Sequence, residues 1–148
     1  MTTKVKGQGL LGISAALWLI WGLVHAFAGI ITIIRATPLA VQGIADAVET
    51  ALLTVDYPAA AGAIINQHGF NLLWIGLVTI VCSLYIWRRS RSAIFIAAMV
   101  GGLADVGYFI FLDLGGFVNF APGTLMTIFS SLAIATSFYA YFIHMRKE

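Results

Sequence analysis

The chain has 148 residues, of which 61% are hydrophobic and 9% are charged. Its mean hydropathy is +0.97. Small soluble domains bury the smallest share of their chain and carry about a quarter charged residues, so this composition excludes a soluble enzyme, a disordered tail and a nucleic-acid-binding module. Eight Lys and Arg stand against six Asp and Glu, an excess too small to imply an anionic partner. What remains is an all-α integral membrane protein whose surroundings are the lipid bilayer.

The first apolar run extends from Leu10 to Ile34. Lys4 and Lys6 precede it, and Ala26-Phe27-Ala28 has the small-x-small form of a signal-peptide cleavage site. The apolar stretch nevertheless continues through Ile30, Ile31, Ile33 and Ile34, which favours a retained first helix. Three further runs occupy 70–87, 92–114 and 122–143. Each exceeds the roughly 17 residues that a spanning helix needs. Strand-type alternation is absent, which argues against a transmembrane barrel. The expectation is a four-transmembrane-helix bundle forming a single membrane domain over 1–148.

Basic residues set the expected orientation. Lys4, Lys6, Arg88, Arg89, Arg91, Arg146 and Lys147 fall on one side, and Arg35 alone falls on the other. Both termini are therefore expected to be cytoplasmic (N-in/C-in), in a membrane of the bacterial inner type. The loop 35–67 and the turn 115–121 then face outward. Within that loop Thr37-Pro38 reads as an N-cap and a first-turn proline. Ile44, Val48, Ala51, Leu52 and Val55 share one helical face, and Gln42, Asp46, Glu49 and Asp56 share the other. This predicts an amphipathic helix lying on the outer interface or capping the bundle, its acidic polar face favouring the bundle mouth, ended by Tyr57-Pro58. The stretch 59–65 fits either a shallow re-entrant piece or a lead into helix 2.

Ionisable groups inside a bilayer are costly and need a partner or a job. Four are candidates: His25, His68, Asp105 and Asp113. By the helical rise, His25 lies about 13 Å below the outer end of helix 1 and Asp105 about 12 Å below that of helix 3. The two share a depth. His68 opens helix 2 near the level of Asp113. Glycines on the Asp105 face, Gly101 and Gly102, let another helix approach closely, so Asp105 is expected to point at protein. The matching face of helix 1 carries Trp18, Trp21, Gly22, His25 and Gly29. Helix 2 offers His68, Asn71, Ile75, Thr79 and Cys82, and helix 4 offers Thr124, Thr127, Ser131 and Ala135. Together these faces predict a polar chamber in the outer half of the bundle above a drier inner half.

His25 and Asp105 then form a candidate general acid/base pair. His68, Asn71, Tyr108 and Asp113 are candidate ligand contacts, with Trp18, Trp21 and Phe109 as walls. His144 sits among cytoplasmic basic residues and reads as interfacial. The lone Cys82 can form neither an internal disulfide nor a CxxC pair. No span holds a lysine for a Schiff base, and HExxH, ExxH, Gly-x-Ser-x-Gly and phosphate-loop motifs are missing. Four helices with a histidine in the first resemble the architecture of the DoxX-like group of small bacterial membrane proteins; the likeness is one of architecture and carries no residues over.

Three functions compete at this level. The chamber can bind, and act by proton transfer on, a small apolar or amphiphilic molecule of the lipid, quinone or isoprenoid class. His25 and His68 can serve a metal or haem site, although their unequal depths work against it. Alternatively, the chain is a non-catalytic subunit of a larger membrane complex, its polar groups acting as interhelical hydrogen bonds. Self-association is expected as well, because four helices barely enclose a chamber. The cofactor, if any, is not specified by the sequence.

Overall fold

The computed structural model describes residues 2–145, with side chains from Gly7 onward. The side chains of Lys4 and Lys6, together with Arg146 and Lys147, lie outside the described residues. All regular structure within them is helical. It comprises α1 (Thr2–Ile34), α2 (Thr37–Ile44), α3 (Thr50–Leu53), α4 (Ala59–Trp87), α5 (Arg91–Asp113) and α6 (Phe120–Met145). Four stretches are long and apolar enough to cross a bilayer: Gly7–Ile34 of α1, and the whole of α4, α5 and α6. Helices of this kind suit a bilayer because every backbone polar group finds its partner within the segment.

Close backbone contact holds α1 against α4. A Cβ placed on Gly29 would lie 2.5 Å from the carbonyl oxygen of Gly69, and one on Gly76 would lie 2.5 Å from the amide nitrogen of Ala26. The two helices therefore touch main chain to main chain, as small residues permit in membranes. On its other side α1 packs along α6, where the Ser14 hydroxyl donates to the Ala133 carbonyl at 2.8 Å. α5 packs against α4 and α6 rather than along α1. The space between α1 and α5 is filled by side chains instead, above all by Trp18 and Trp21, both fully buried.

Gly7 abuts the His144 side chain, and the Arg91 guanidinium donates to the Met145 carbonyl. The start of α1, the Arg88–Arg91 turn and the end of α6 thus share one end of the bundle, here called the arginine end. Arg89 turns the chain there with a φ of 64°, and Ser90 caps α5 by accepting from the Ala93 amide. At the opposite, loop end lie α2, α3 and the turn from Leu114 to Asn119. Around the bundle Ile13, Phe27, Leu84, Phe111 and Leu132 are among many exposed large apolar side chains. Such a surface is suited to acyl chains, not to water.

Two elements differ from their sequence-based expectation. α4 starts at Ala59, so the stretch 59–65 is the lead into the second spanning helix, and the helix begins well before residue 70. Pro58 ends the loop, and the small residues after it are good helix formers. The loop helix is not continuous either: α2 and α3 are separated by non-helical residues 45–49. The break has a cause in the opposite turn. The Ala47 amide leaves helical pairing to donate to the Phe117 carbonyl at 3.1 Å. Asp46 accepts from the Asn119 amide at 2.7 Å and receives the Asn119 side chain on its carbonyl at 3.0 Å. Thr37 is the first residue of α2 rather than its cap, which falls at Ala36.

Candidate functional site

Asp105 is 4% exposed, on the inward face of α5. Its position depends on Gly101 one turn earlier, against which the Trp18 ring rests. With no side chain at Gly101, the indole of Trp18 slides past α5 and leaves the next turn open to Trp21. The Trp21 indole N–H then donates to Asp105 Oδ2 at 2.8 Å. The Ser130 side chain on α6 neighbours this carboxyl, its hydroxyl donating to the Thr127 carbonyl of its own helix at 3.0 Å. A side chain of α1 thereby orients a carboxyl group of α5.

His25 lies one turn beyond Trp21 on α1, and its ring stacks on the Trp21 indole at a centroid distance of 3.5 Å and an interplanar angle of 17°. Its Nδ1 lies 2.8 Å from the Trp21 carbonyl oxygen. A carbonyl oxygen only accepts, so Nδ1 carries the proton. In the neutral ring, Nε2 is then an unprotonated acceptor. It faces Asp105 Oδ1 at 3.9 Å, too long for a direct hydrogen bond. With Asp105 ionised, two acceptor atoms are thus turned toward each other without a hydrogen between them. An oxygen roughly 2.8 Å from both would subtend roughly 90°, an angle at which the two O–H groups of one water reach both acceptors. The His25 side chain retains 14% exposure against 6% for that of Asp105, so the histidine forms the accessible edge of the cluster.

Trp18 meets Trp21 edge-on at 5.6 Å, and its own indole N–H is buried without a hydrogen-bond partner. The two tryptophans fill the centre of the bundle, so the expected chamber is packed with side chains around the pair. An open surface recess of about 590 Å³ lies near the arginine end, lined by Gly9, Gly12, Ala16 and Trp87 among others.

A second polar group lies toward the loop end between α5 and α6. Thr124 donates its hydroxyl to Asp113 Oδ1, while Asp113 Oδ2 and Thr127 Oγ1 are buried without partners. The Tyr108 hydroxyl packs directly against the backbone of Gly123.

The remaining candidates fall outside both groups. His68 is half-buried and hydrogen-bonds neither of them. Gly69 packs on Thr32 and Gly76 on Ala26, which sets His68 and His25 about 10 Å apart along the bundle by the helical rise. No group of three or more His, Cys, Asp and Glu is placed to hold a metal ion among the described residues. Asn71 accepts from the indole of Trp74, an exposed residue of its own helix. Phe109 is 44% exposed and turned to the bundle's outer surface, not into a chamber.

The inward face of α6 carries Met126, Ser130, Ala133 and Ser137, one position away from the face predicted by spacing. Ser131 is exposed and donates to the Thr127 carbonyl of its own helix. The helix enters through an extended Ala121 and a widened turn over Phe120–Thr124, and its small residues Ala133, Ser137 and Ala140 face inward. Spacing therefore does not single out Ser130, the α6 neighbour of Asp105, although a serine level with a carboxyl in an apolar span is a usable signal.

Against family models, curated proteins and solved structures alike, this four-helix chain finds no match.

Proposed function

We propose that this chain is an integral membrane protein, with both termini cytoplasmic and the loop end outward, that binds a small amphiphilic molecule at the His25–Asp105 pair and handles a proton there. The supporting observation is the opposed pair of acceptors. A lock that only fixed helix register would close into a direct hydrogen bond, which contributes about 0.5–1.5 kcal/mol. Here Trp21 holds both the carboxyl and the imidazole, and the gap between them suits one hydroxyl together with one proton, the hydroxyl donating to one side and accepting from the proton carried by the other. An alcohol or quinol headgroup supplies that donor, with its tail among the acyl chains beside the exposed edge of His25. A lipid, quinone or isoprenoid fits this description, and proton transfer between bound headgroup, imidazole and carboxyl needs no further group.

The closed packing of Trp18 and Trp21 favours a second reading, in which the chain is a non-catalytic member of a larger membrane complex and the polar cluster stiffens the bundle. Mass spectrometry of lipids extracted from detergent-purified protein separates the two. A bound molecule that co-purifies with wild type and is lost from Asp105→Asn and His25→Ala, with helicity intact, supports the binding reading. Equal lipid content in all three proteins contradicts it.

A further inference from the structure

The buried hydroxyls of the spanning helices share one pattern. Ser14, Thr32, Thr79, Ser83, Ser130 and Ser137 each donate to a main-chain carbonyl, the usual way a membrane helix satisfies such groups. Thr127 departs from it, its Oγ1 buried and unpaired. Its level on α6 lies between Ser130, which neighbours Asp105, and Thr124, which bonds Asp113. Asp113 presents a second buried, unpaired oxygen at the far end of the same seam. Tyr108 lies between them on α5, within the electrostatic reach of Asp105, Asp113 and the loop residue Asp46.

Buried polar atoms without protein partners are the places where ordered water is held, provided several polar groups converge. Here two such atoms, on Thr127 of α6 and Asp113 of α5, lie along the eight residues that separate Asp105 from Asp113, about 12 Å by the helical rise. Both helices also carry widened turns at this level, Phe109–Asp113 and Phe120–Thr124. Such turns weaken regular carbonyl pairing and recur at functional positions. The other end of the bundle is sealed: Leu11, Trp18, Ile86, Ile94 and Ala97 are each at most 1% exposed.

We propose that the α5–α6 seam is a hydrated proton path, with Asp113 at its mouth, Tyr108 and Thr127 along it and Asp105 at its inner end, connecting the pair to the loop side of the membrane only. It rests on the proton-handling reading above and supplies that reading with its source of protons. A proton taken up from bulk water at Asp113 passes through O–H groups of water and Thr127 to the Asp105 carboxyl. Each step breaks one O–H bond and forms another.

The test is water-edited solid-state NMR on the full ¹³C-labelled chain in liposomes, tracking magnetisation from water to side-chain carbons. The side chains of Thr127 and Asp113 are expected to polarise as fast as that of the exposed loop residue Thr54. Thr79 and Ser137, buried and satisfied by their own helices, should lag several-fold. Thr127 lagging with Thr79 and Ser137 would overturn the path. The near-isosteric Thr127→Val gives an independent reading. A hydrated path predicts a several-fold slower transfer to Asp105 with Asp113 unaffected. Unchanged transfer to Asp105 overturns it. Because water is read directly, a wet seam stands even where lipid extraction finds no bound molecule, and a dry seam fails even where it finds one.

Discussion

Trp21 is bonded to both halves of the central pair, donating its indole N–H to Asp105 at 2.8 Å and accepting His25 Nδ1 on its carbonyl at 2.8 Å. One residue of α1 thus sets the orientation of a carboxyl group on α5 and the tautomer of an imidazole one turn away. The ring stacking between Trp21 and His25 fixes the remaining freedom of the histidine. Positioning of this kind, by groups that are themselves packed, is what a functional pair requires.

Trp21→Phe is therefore expected to keep the packing but strip Asp105 of its strongest neutral donor. The loss should be about 1–3 kcal/mol, read as an earlier midpoint when the folded protein is titrated with SDS from mixed micelles. Trp18→Phe removes an N–H that has no partner, and should destabilise by less than Trp21→Phe in the same titration. A larger loss at Trp18 than at Trp21 would show that the indole bond contributes little.

The glycine contacts between α1 and α4 predict a contrast between two substitutions. Gly76→Val places a branched side chain where Cβ alone meets the Ala26 amide at 2.5 Å and the Gly22 carbonyl at 2.6 Å. Overpacking of this kind costs about 1–3 kcal/mol, and more where neither backbone gives way. Gly107→Ala meets nothing within 4 Å, and within a helix it should be neutral or stabilising by up to about 1 kcal/mol. Thermal unfolding monitored by circular dichroism should rank them in that order.

The proposed orientation is open to cysteine labelling in sealed cells or vesicles, in a Cys82→Ala background. A cysteine at Gly116, in the loop-end turn, should react with a membrane-impermeant maleimide from outside. One at Arg88, at the arginine end, should react only after the membrane is opened. The reverse pattern would invert the topology and place the seam's mouth in the cytoplasm.

Much of this architecture is legible in the sequence because the bilayer simplifies the physics. Run lengths and the absence of Lys and Arg from the spans identify four helices, and glycines beside Asp105 point it inward. The shared depth of His25 and Asp105 comes from the helical rise alone. The features that escape the sequence depend on contacts distant along the chain. The loop helix reads as continuous until Asp46 and Ala47 are seen bonding the Phe117–Asn119 turn. The buried face of α6 runs through Met126, Ser130, Ala133 and Ser137, one position from the threonine-bearing face that polarity alone selects. The expected open chamber is filled because α1 and α5 stand apart across the bundle, leaving room that only two indoles occupy. The stacking of His25 on Trp21, by contrast, is an i, i+4 relationship that spacing already contains.

The most direct test of the central pair is ¹⁵N NMR of the His25 ring, in wild type and Asp105→Asn, reconstituted in lipid. Nδ1 should be protonated in both proteins, held by the Trp21 carbonyl. Nε2 should resonate in wild type as a nitrogen sharing a proton or accepting a strong donor, and should change when Asp105→Asn removes the carboxyl that shares it. A bare, unbonded Nε2 with the same resonance in both proteins would contradict the account, leaving His25 and Asp105 as neighbours with nothing passed between them.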